Sequence, residues 1–333
     1  MKRPINAYIH ITENCEHRCG FCYASHGLGG FHNADFGKIV EIIAKCREIG
    51  IKNLSLVGGN PVLHPRIMDI LKVAHDTGMR ITVMTNSAFF KDIPLAAKYI
   101  DVVMVTVHGD NECDHDCVTK KHGSYNDLIS CLRQFAEEGT EIDVAYNITP
   151  SSYNKIYSSI VALKNKGIVP KRYVLQRIAP IWDSTGKVLK NNEEYCPTKE
   201  QVNIAMQQIR QVKDEFKIAI ELVDPYPLCI VNEEYWDLIT PCKCGATDIS
   251  INGVGDVSRC GADPNYQLGN ILKQSIDEIW NNAPELIAFR NMDYLPEKCR
   301  ECELKIQCRG GCPGSCNFYK TKNQDPLAIF FKS

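Results

Sequence analysis

The stretch Ala7-Tyr8-Ile9-His10-Ile11-Thr12-Glu13-Asn14-Cys15-Glu16-His17-Arg18-Cys19-Gly20-Phe21-Cys22 joins a short run of strand formers to three cysteines spaced C-x3-C-x2-C. Ala7–Ile11 reads as a strand. The three thiols therefore stand just past a strand's carboxyl end, where parallel α/β architectures assemble their sites. Three soft ligands suffice for three irons of a 4Fe–4S cluster and leave the fourth iron open. A zinc ion needs a fourth ligand, which His17 or His26 can supply, so the motif alone admits either metal.

Working outward, further apolar runs follow at Asn53–Val57, Arg80–Thr85, Val102–Val107, Ile142–Ile148 and Arg172–Ile178. Their Val, Ile and Leu content, with little polar alternation, suits strands buried on both faces. Amphipathic segments lie between them. Asn33 is placed to cap a helix in which Phe36, Ile39, Val40, Ile43 and Cys46 recur at three- and four-residue steps. Ser124 precedes another, with Tyr125, Leu128, Ile129, Leu132 and Phe135 in one stripe and Gly139 at its end. Repeated βα units imply a parallel sheet, and six of them make a partial (β/α)6 TIM-type barrel or an open sheet, α/β in either case. Residues 1–180 hold this core. The polar, aperiodic residues 181–197 read as a linker, followed by a helix at about 198–216 and a strand-like Ile218–Val223, so that 181–240 bridges to the last segment. Residues 241–333 are rich in Cys, Gly and Pro and short of core-forming periodicity, a composition that needs metal staples to hold a fold.

Composition narrows the class. The chain has 333 residues, 44% hydrophobic and 23% charged, with a formal net charge of -2, which is ordinary for a soluble protein and excludes a general nucleic-acid or membrane-surface binder. Met1 to Ala7 carry no long apolar stretch, and no apolar run is long enough to span a bilayer, so a cytoplasmic protein is expected. Seventeen cysteines, an odd number without a secretion signal, point to metal rather than to a disulfide framework.

A second landmark follows the second strand: Gly58-Gly59-Asn60-Pro61, then Leu63-His64-Pro65. Together with Cys15, Cys19, Phe21 and Cys22, in this order, it resembles the radical S-adenosylmethionine (SAM) superfamily, in which the loop usually reads Gly-Gly-Glu-Pro and its backbone holds the methionine amino group. Glycine permits the close backbone approach such a loop needs. Asn60 stands where the usual acid would, so a backbone role carries over and a side-chain role does not. The resemblance implies SAM contacts from Phe21, from the Gly58–Pro61 loop, from Thr85, Asn86 and Ser87 after the third strand, and from Thr106 and His108 after the fourth. It extends to Asn147 after the fifth strand, and to Gln176 and Arg177 after the sixth, where a guanidinium fork can meet the SAM carboxylate. For each residue after the third to sixth strands, a hydrogen-bonded loop residue without a ligand is the alternative of equal standing. The implied chemistry is reductive cleavage of SAM to a 5′-deoxyadenosyl radical that abstracts a hydrogen atom, with a flavodoxin or ferredoxin as reducing partner.

The last segment carries Cys242, Cys244, Cys260, Cys299, Cys302, Cys308, Cys312 and Cys316. Eight thiolates supply two four-ligand sites, for zinc or for iron–sulfur. The spacing Cys244-x10-Gly255-x4-Cys260, then Cys299-x2-Cys302-x5-Cys308-x3-Cys312, resembles the SPASM domain that follows many radical SAM barrels and binds two auxiliary 4Fe–4S clusters. By that resemblance Cys244, Cys260 and Cys312 hold auxiliary cluster I, while Cys299, Cys302 and Cys308 hold auxiliary cluster II; Cys242 is chosen as the fourth ligand of the former. The family's final cysteine, after an Asp-Pro dipeptide, is missing: Asp325-Pro326-Leu327 runs into Ala328. Cys316 is the substitute, or that cluster keeps an open iron. Three 4Fe–4S clusters follow. Asp263, three residues after Cys260, is a candidate for taking up a proton, against the plainer reading of a surface carboxylate.

Among the other cysteines, Cys46 and Cys131 lie on apolar stripes and read as core, while Cys196 and Cys229 sit in loops, Cys229 competing with Cys242 as a ligand. Cys113-Asp114-His115-Asp116-Cys117 reads as a solvated loop, with metal or substrate contact as the alternative. The resemblance implies an enzyme that matures a ribosomally made peptide by thioether or carbon–carbon crosslinking or by epimerisation. A small-molecule, cofactor-biosynthetic or sulfatase-maturing enzyme is the alternative. A non-catalytic iron–sulfur carrier or zinc-binding protein is the alternative of another class, against which the open-ligand motif and the Gly58-Gly59 loop speak.

Overall fold

The computed structural model describes residues 3–26, 32–86, 90–178, 181–182, 188–190, 192–262 and 267–312. Its strands are β1 (Asn6–Thr12), β2 (Asn53–Gly58), β3 (Arg80–Thr85), β4 (Val102–Val107), β5 (Glu141–Ile148), β6 (Arg172–Arg177), β7 (Ile181–Trp182), β8 (Val188–Lys190), β9 (Ala219–Val223), β10 (Asp248–Ile251), β11 (Asp256–Ser258) and β12 (Gln267–Asn270). The helices are α1 (Phe36–Glu48), α2 (Ile67–His75), α3 (Ile93–Ala97), α4 (Glu112–Thr119), α5 (Ser124–Glu137), α6 (Ile156–Asn165), α7 (Lys199–Phe216), α8 (Ile276–Asn282), α9 (Pro284–Arg290), α10 (Glu297–Arg300) and α11 (Lys305–Cys308). Among the described residues no helix is long and apolar enough to cross a membrane.

Two compact units divide the chain, and the division falls inside β4 and β5. The first comprises Met1–Val105, Asn126–Ile142 and Lys243–Asn291. Its strands run in the order β12-β11-β10-β1-β2-β3-β4. Here β10, β1, β2, β3 and β4 pair in parallel, and β11 and β12 add antiparallel hairpins. The second unit comprises Thr106–Tyr125, Asp143–Cys242 and Met292–Ser333, with β5, β6 and β9 in parallel order.

Local chemistry accounts for the elements. In β1, Ala7, Ile9 and Ile11 are fully buried on one face, and His10 and Thr12 are buried on the other. The stripe of α1 is Ile39, Ile42, Ile43 and Cys46, all buried, and its cap is Asp35, whose side chain accepts from Lys38 N. Asn33, expected to cap α1, instead bridges back to β1: Thr12 Oγ1 donates to Asn33 Oδ1 at 2.8 Å. The reason is a pairing of Asn33 with Thr12 that leaves Asp35 as the last non-helical residue. Residues 181–197, expected as a featureless linker, contain the β7–β8 ladder and a 3-10 turn at Glu193–Tyr195. The expected loop at 113–117 is helix α4, capped by Asn111 accepting from Asp114 N.

The amino-terminal ends of the strands are tied by polar side chains in register. Asn6 pairs with Asp248 on one side and Asn53 on the other. Asn53 Nδ2 donates to Asn6 Oδ1 at 2.7 Å, and Asn6 Nδ2 donates to Asp248 Oδ1 at 2.6 Å. In the second unit Arg172 lies between two carboxylates, reaching Asp143 at 2.7 Å and Glu221 at 2.5 Å, with the Asp143 side chain only 6% exposed. Removing the cation would strand a buried carboxylate. Arg172→Met is therefore expected to cost about 3 kcal/mol. Arg3→Met, whose pair with Asp277 is exposed at both ends, should cost less than about 1 kcal/mol. Equal shifts of the two urea midpoints would contradict this.

His10 sets a pH dependence. Its Nε2 lies 2.9 Å from Ser250 Oγ, and burial pushes its imidazole down to about 4. The unfolded chain takes up a proton near pH 6.5 that the folded chain refuses until about pH 4, so stability falls as pH falls through that window. The loss reaches on the order of 3 kcal/mol. His10→Gln should flatten this slope, read as the difference between urea midpoints at neutral pH and near pH 4.5.

Candidate functional site

Past Thr12 the chain turns away from the sheet, and the turn is held from its first residue. Thr12 Oγ1 lies 2.7 Å from His32 O, which shares the hydroxyl proton with Asn33 Oδ1, and accepts from Asn14 N at 3.1 Å. Cys15, Cys19 and Cys22 follow, each half-buried, with Cys22 N donating to Cys19 O at 3.2 Å. Burial is the main cause that pushes the Cys15 thiol up to about 11, so metal must displace a proton to bind there.

The Gly58-Gly59-Asn60 loop lies directly on this segment. Gly59 N donates to Thr12 O at 2.8 Å, and Asn60 N donates to Asn14 O at 2.6 Å. A methyl group on Gly58 would meet Thr12 O at 2.1 Å, and one on Gly59 would meet Asn14 O at 2.2 Å. Gly58 also has φ +141, open to glycine alone. The glycines thus serve the approach of one backbone to another within the chain.

Asn60 is fully buried and does have a side-chain role. Its Oδ1 accepts from Thr85 Oγ1 at 2.8 Å, and its Nδ2 donates to the Glu16 carboxylate at 3.2 and 3.3 Å. An amide both donates and accepts, so one residue links the cysteine loop to the end of β3, which an ionised Glu cannot do. Asn86 Nδ2 approaches Cys15 Sγ at 3.5 Å. His64 is buried with both ring nitrogens engaged, Nε2 at 3.0 Å from Ala34 O and Nδ1 accepting from Arg66 N at 3.1 Å, which makes it a structural tie. Glu16 was the functional neighbour that sequence reading passed over, its one signal being its place beside Cys15.

In the second unit Thr106 is the penultimate residue of β4 and His108 directly follows the strand. His108 is buried, its N donates to His115 Nδ1 at 3.2 Å, and the two rings are 5.2 Å apart. Asn147 is buried near the end of β5. Arg177 is buried at the end of β6, where Nη1 donates to Pro225 O at 3.2 Å and the guanidinium lies 5.4 Å from the Tyr226 ring. Ser87, Asp263 and Cys316 lie outside the described residues.

The later cysteines divide between the units. Cys244 and Cys260 belong to the first, flanking the β10–β11 hairpin whose turn needs Gly255 at φ +89. Cys242, Cys299, Cys302, Cys308 and Cys312 belong to the second. Cys308 Sγ accepts from Leu228 N at 3.3 Å. Cys46 and Cys131 are buried core residues, each thiol pushed up to about 12 by burial. Cys113 and Cys117 are exposed on α4, whose His115 is buried.

Among the described residues no three thiols gather within 4.8 Å, nor does His17 join the N-terminal cysteines at that distance. In the group that does gather, Glu112, Asp116 and His122, only His122 is exposed, and Asp116 is taken up by Ser124 Oγ at 2.7 Å and Tyr125 N at 3.0 Å.

Two family models match the chain, and each match takes in residues of both units. The radical SAM superfamily matches residues 9–152, and an iron–sulfur cluster-binding domain, SPASM, matches residues 242–303. The PqqA peptide cyclase of Gluconobacter oxydans is 20% identical over 93% of this chain and 85% of its own. The subtilosin biosynthesis protein AlbA of Bacillus subtilis is 24% identical over 96% and 70%, and the AdoMet-dependent heme synthase of Methanosarcina barkeri 22% over 89% and 86%. Among solved structures, Streptococcus suis SuiB bound to precursor peptide SuiA superposes with TM-score 0.76 at 17% identity, covering 98% of this chain and 75% of that one. Native anSMEcpe with bound AdoMet does so with TM-score 0.74 at 14% identity, covering 99% and 95%. These likenesses show the fold: a partial (β/α) barrel of the radical SAM type followed by a small C-terminal domain.

The packing of the glycine loop is testable. Gly59→Ala is expected to destabilise the protein by more than about 2 kcal/mol, because backbone atoms cannot yield as a flexible side chain can. Gly50→Ala, at φ +89 with nothing within 4 Å, should cost about 1 kcal/mol. Comparable urea midpoints for the two variants would contradict the close approach.

Proposed function

The chain belongs to the radical SAM superfamily and carries its SPASM extension, and from that premise we propose that it matures a ribosomally made peptide. The observation that carries the catalytic reading is the cysteine loop locked onto Gly58-Gly59-Asn60 at 2.8 and 2.6 Å. Substrate class is supported by relatives named for peptide cyclisation and bacteriocin biosynthesis, and by the fold shared with SuiB. The bond formed is a thioether or carbon–carbon crosslink, or a stereocentre is inverted.

Cys15, Cys19 and Cys22 would hold a 4Fe–4S cluster with one iron left for SAM. When bound, cluster and SAM supply the one-electron cleavage that yields a hydrogen-abstracting carbon radical. The protein's own residues position and shield. The Gly58–Pro61 backbone offers groups to the methionine end, and Asn60 fixes that loop to Glu16 and Thr85. Phe21, Asn86, Thr106, His108, Asn147 and Arg177 are assigned to SAM by their places in the family pattern. Cys242, Cys244, Cys260 and Cys312 are assigned to auxiliary cluster I, and Cys299, Cys302 and Cys308 to auxiliary cluster II, giving three clusters. The working division is 1–180 for the barrel core, 181–240 for the bridge and 241–333 for the auxiliary-cluster domain. Flavodoxin or ferredoxin supplies the electron in a reducing cytoplasm. A second reading, action on a small molecule, rests on the likeness to the heme synthase.

Anaerobic reconstitution tests the proposal. About twelve irons per chain are expected, falling to about eight in a Cys15/Cys19/Cys22 triple alanine variant. SAM-dependent release of 5′-deoxyadenosine should vanish in the variant. A peptide encoded beside the gene should lose two hydrogens or exchange one with solvent. Iron-free protein saturated with zinc would sink the radical reading, and turnover of a small molecule with no peptide modified would sink the substrate assignment.

A further inference from the structure

Cys299, Cys302 and Cys308 form an incomplete set, because the chain has Ala328 where a fourth, distal cysteine would be expected. A further cysteine, Cys229, stands in the segment that packs on this set. Leu228 N donates to Cys308 Sγ at 3.3 Å, across 80 residues of sequence. One residue earlier, Pro227 packs on Gly311, where a methyl group would meet Pro227 N and Cδ at 2.8 Å, and Gly311 has φ +81. Two adjacent residues therefore seat on the two ends of the turn that follows α11. The next residue is Cys229.

The local turn fixes what Cys229 can do. It is the centre of a 3-10 turn, Leu228–Ile230, closed by Ile230 N donating to Pro227 O at 3.1 Å. Trp236 Nε1 anchors the turn, donating to Leu228 O at 3.1 Å and Val231 O at 2.9 Å. Leu228 and Ile230 are buried, 1% and 2% exposed, while Cys229 between them is exposed. Successive Cα atoms lie about 3.8 Å apart, so the Cys229 thiol is within a side chain's length of the group that touches Cys308. Backbone N–H donation to a cysteine sulfur is also a recognised means of tuning iron–sulfur clusters.

We propose that Cys229 is the fourth thiolate of the iron–sulfur site built on Cys299, Cys302 and Cys308, an inference that rests on the two-auxiliary-cluster reading above. Binding forms one iron–sulfur bond from the thiol and releases one proton to solvent, with no change of oxidation state. Auxiliary cluster II is then closed by cysteine, and its distal ligand comes from upstream of the domain.

The full chain, reconstituted anaerobically, decides between Cys229 and Cys316. Cys229→Ala should lose up to about four irons per chain, together with the electron-paramagnetic-resonance signal of one reduced cluster. Cys316→Ala should keep both. Retention of iron and signal in Cys229→Ala overturns the proposal, whether or not Cys316→Ala loses them. A wild-type count near four irons removes the site itself, and that failure belongs to the earlier reading. Should Cys229→Ala fold poorly, alkylation of the cluster-loaded wild type gives the answer by peptide mass. Cys229 should resist iodoacetamide while the exposed Cys113 and Cys117 react, and should become reactive once iron is stripped. Labelling of Cys229 as fast as Cys113 in the loaded protein overturns the proposal.

Discussion

The contact on which the candidate site depends is between two pieces of backbone. At Gly58 and Gly59 the chain after β2 lies so close to Thr12 and Asn14 that no side chain fits between them. Two N–H groups of one loop thereby satisfy two carbonyls of the other. Groups that would otherwise be buried without partners are paired, and a ten-residue cysteine loop acquires a fixed wall. Asn60 extends the wall sideways, because an amide can serve Glu16 as donor and Thr85 as acceptor at once.

Much of this was legible in the sequence because it rests on short-range pattern. The six parallel strands of the core announce themselves as apolar runs, and the cysteine spacings stand out from any background. Cys46 and Cys131 fall where their helical stripes place them, and their buried thiols stay protonated, apart from metal chemistry. What was hidden is what depends on distant partners. β10 is four residues long, and two of them, Asp248 and Ser250, are polar, so it reads as irregular until Asn6 and His10 of β1 are seen beside it. Asn33 has every local qualification for a helix cap, yet Thr12 claims it. The Cys113–Cys117 segment looks like a loop by its charge, and becomes helix α4 because His115 finds a buried place against His108 and Tyr125.

Cysteine here is sorted by environment as much as by spacing. Two thiols are sealed in the core and two stand exposed on α4; of the other described cysteines, Cys299 and Cys308 sit on one-turn helices and the rest on loops and short turns. That pattern suits a protein whose small, polar segments are held by metal rather than by apolar burial alone.

The pairing of β10 with β1 carries a consequence for how the molecule is made. β1 leaves the ribosome before both of its partners, and one of its edges is covered by β2 about forty residues later. Its other edge is covered only by Asp248–Ile251. At ordinary synthesis rates that edge waits roughly 10–50 s with its hydrogen-bonding groups unsatisfied by the chain itself. An open strand edge is a template for wrong partners, so the nascent chain passes through a stage at which chaperone cover matters most. Completion of the sheet is reserved for a chain that has already delivered most of its cysteines but not its last ones.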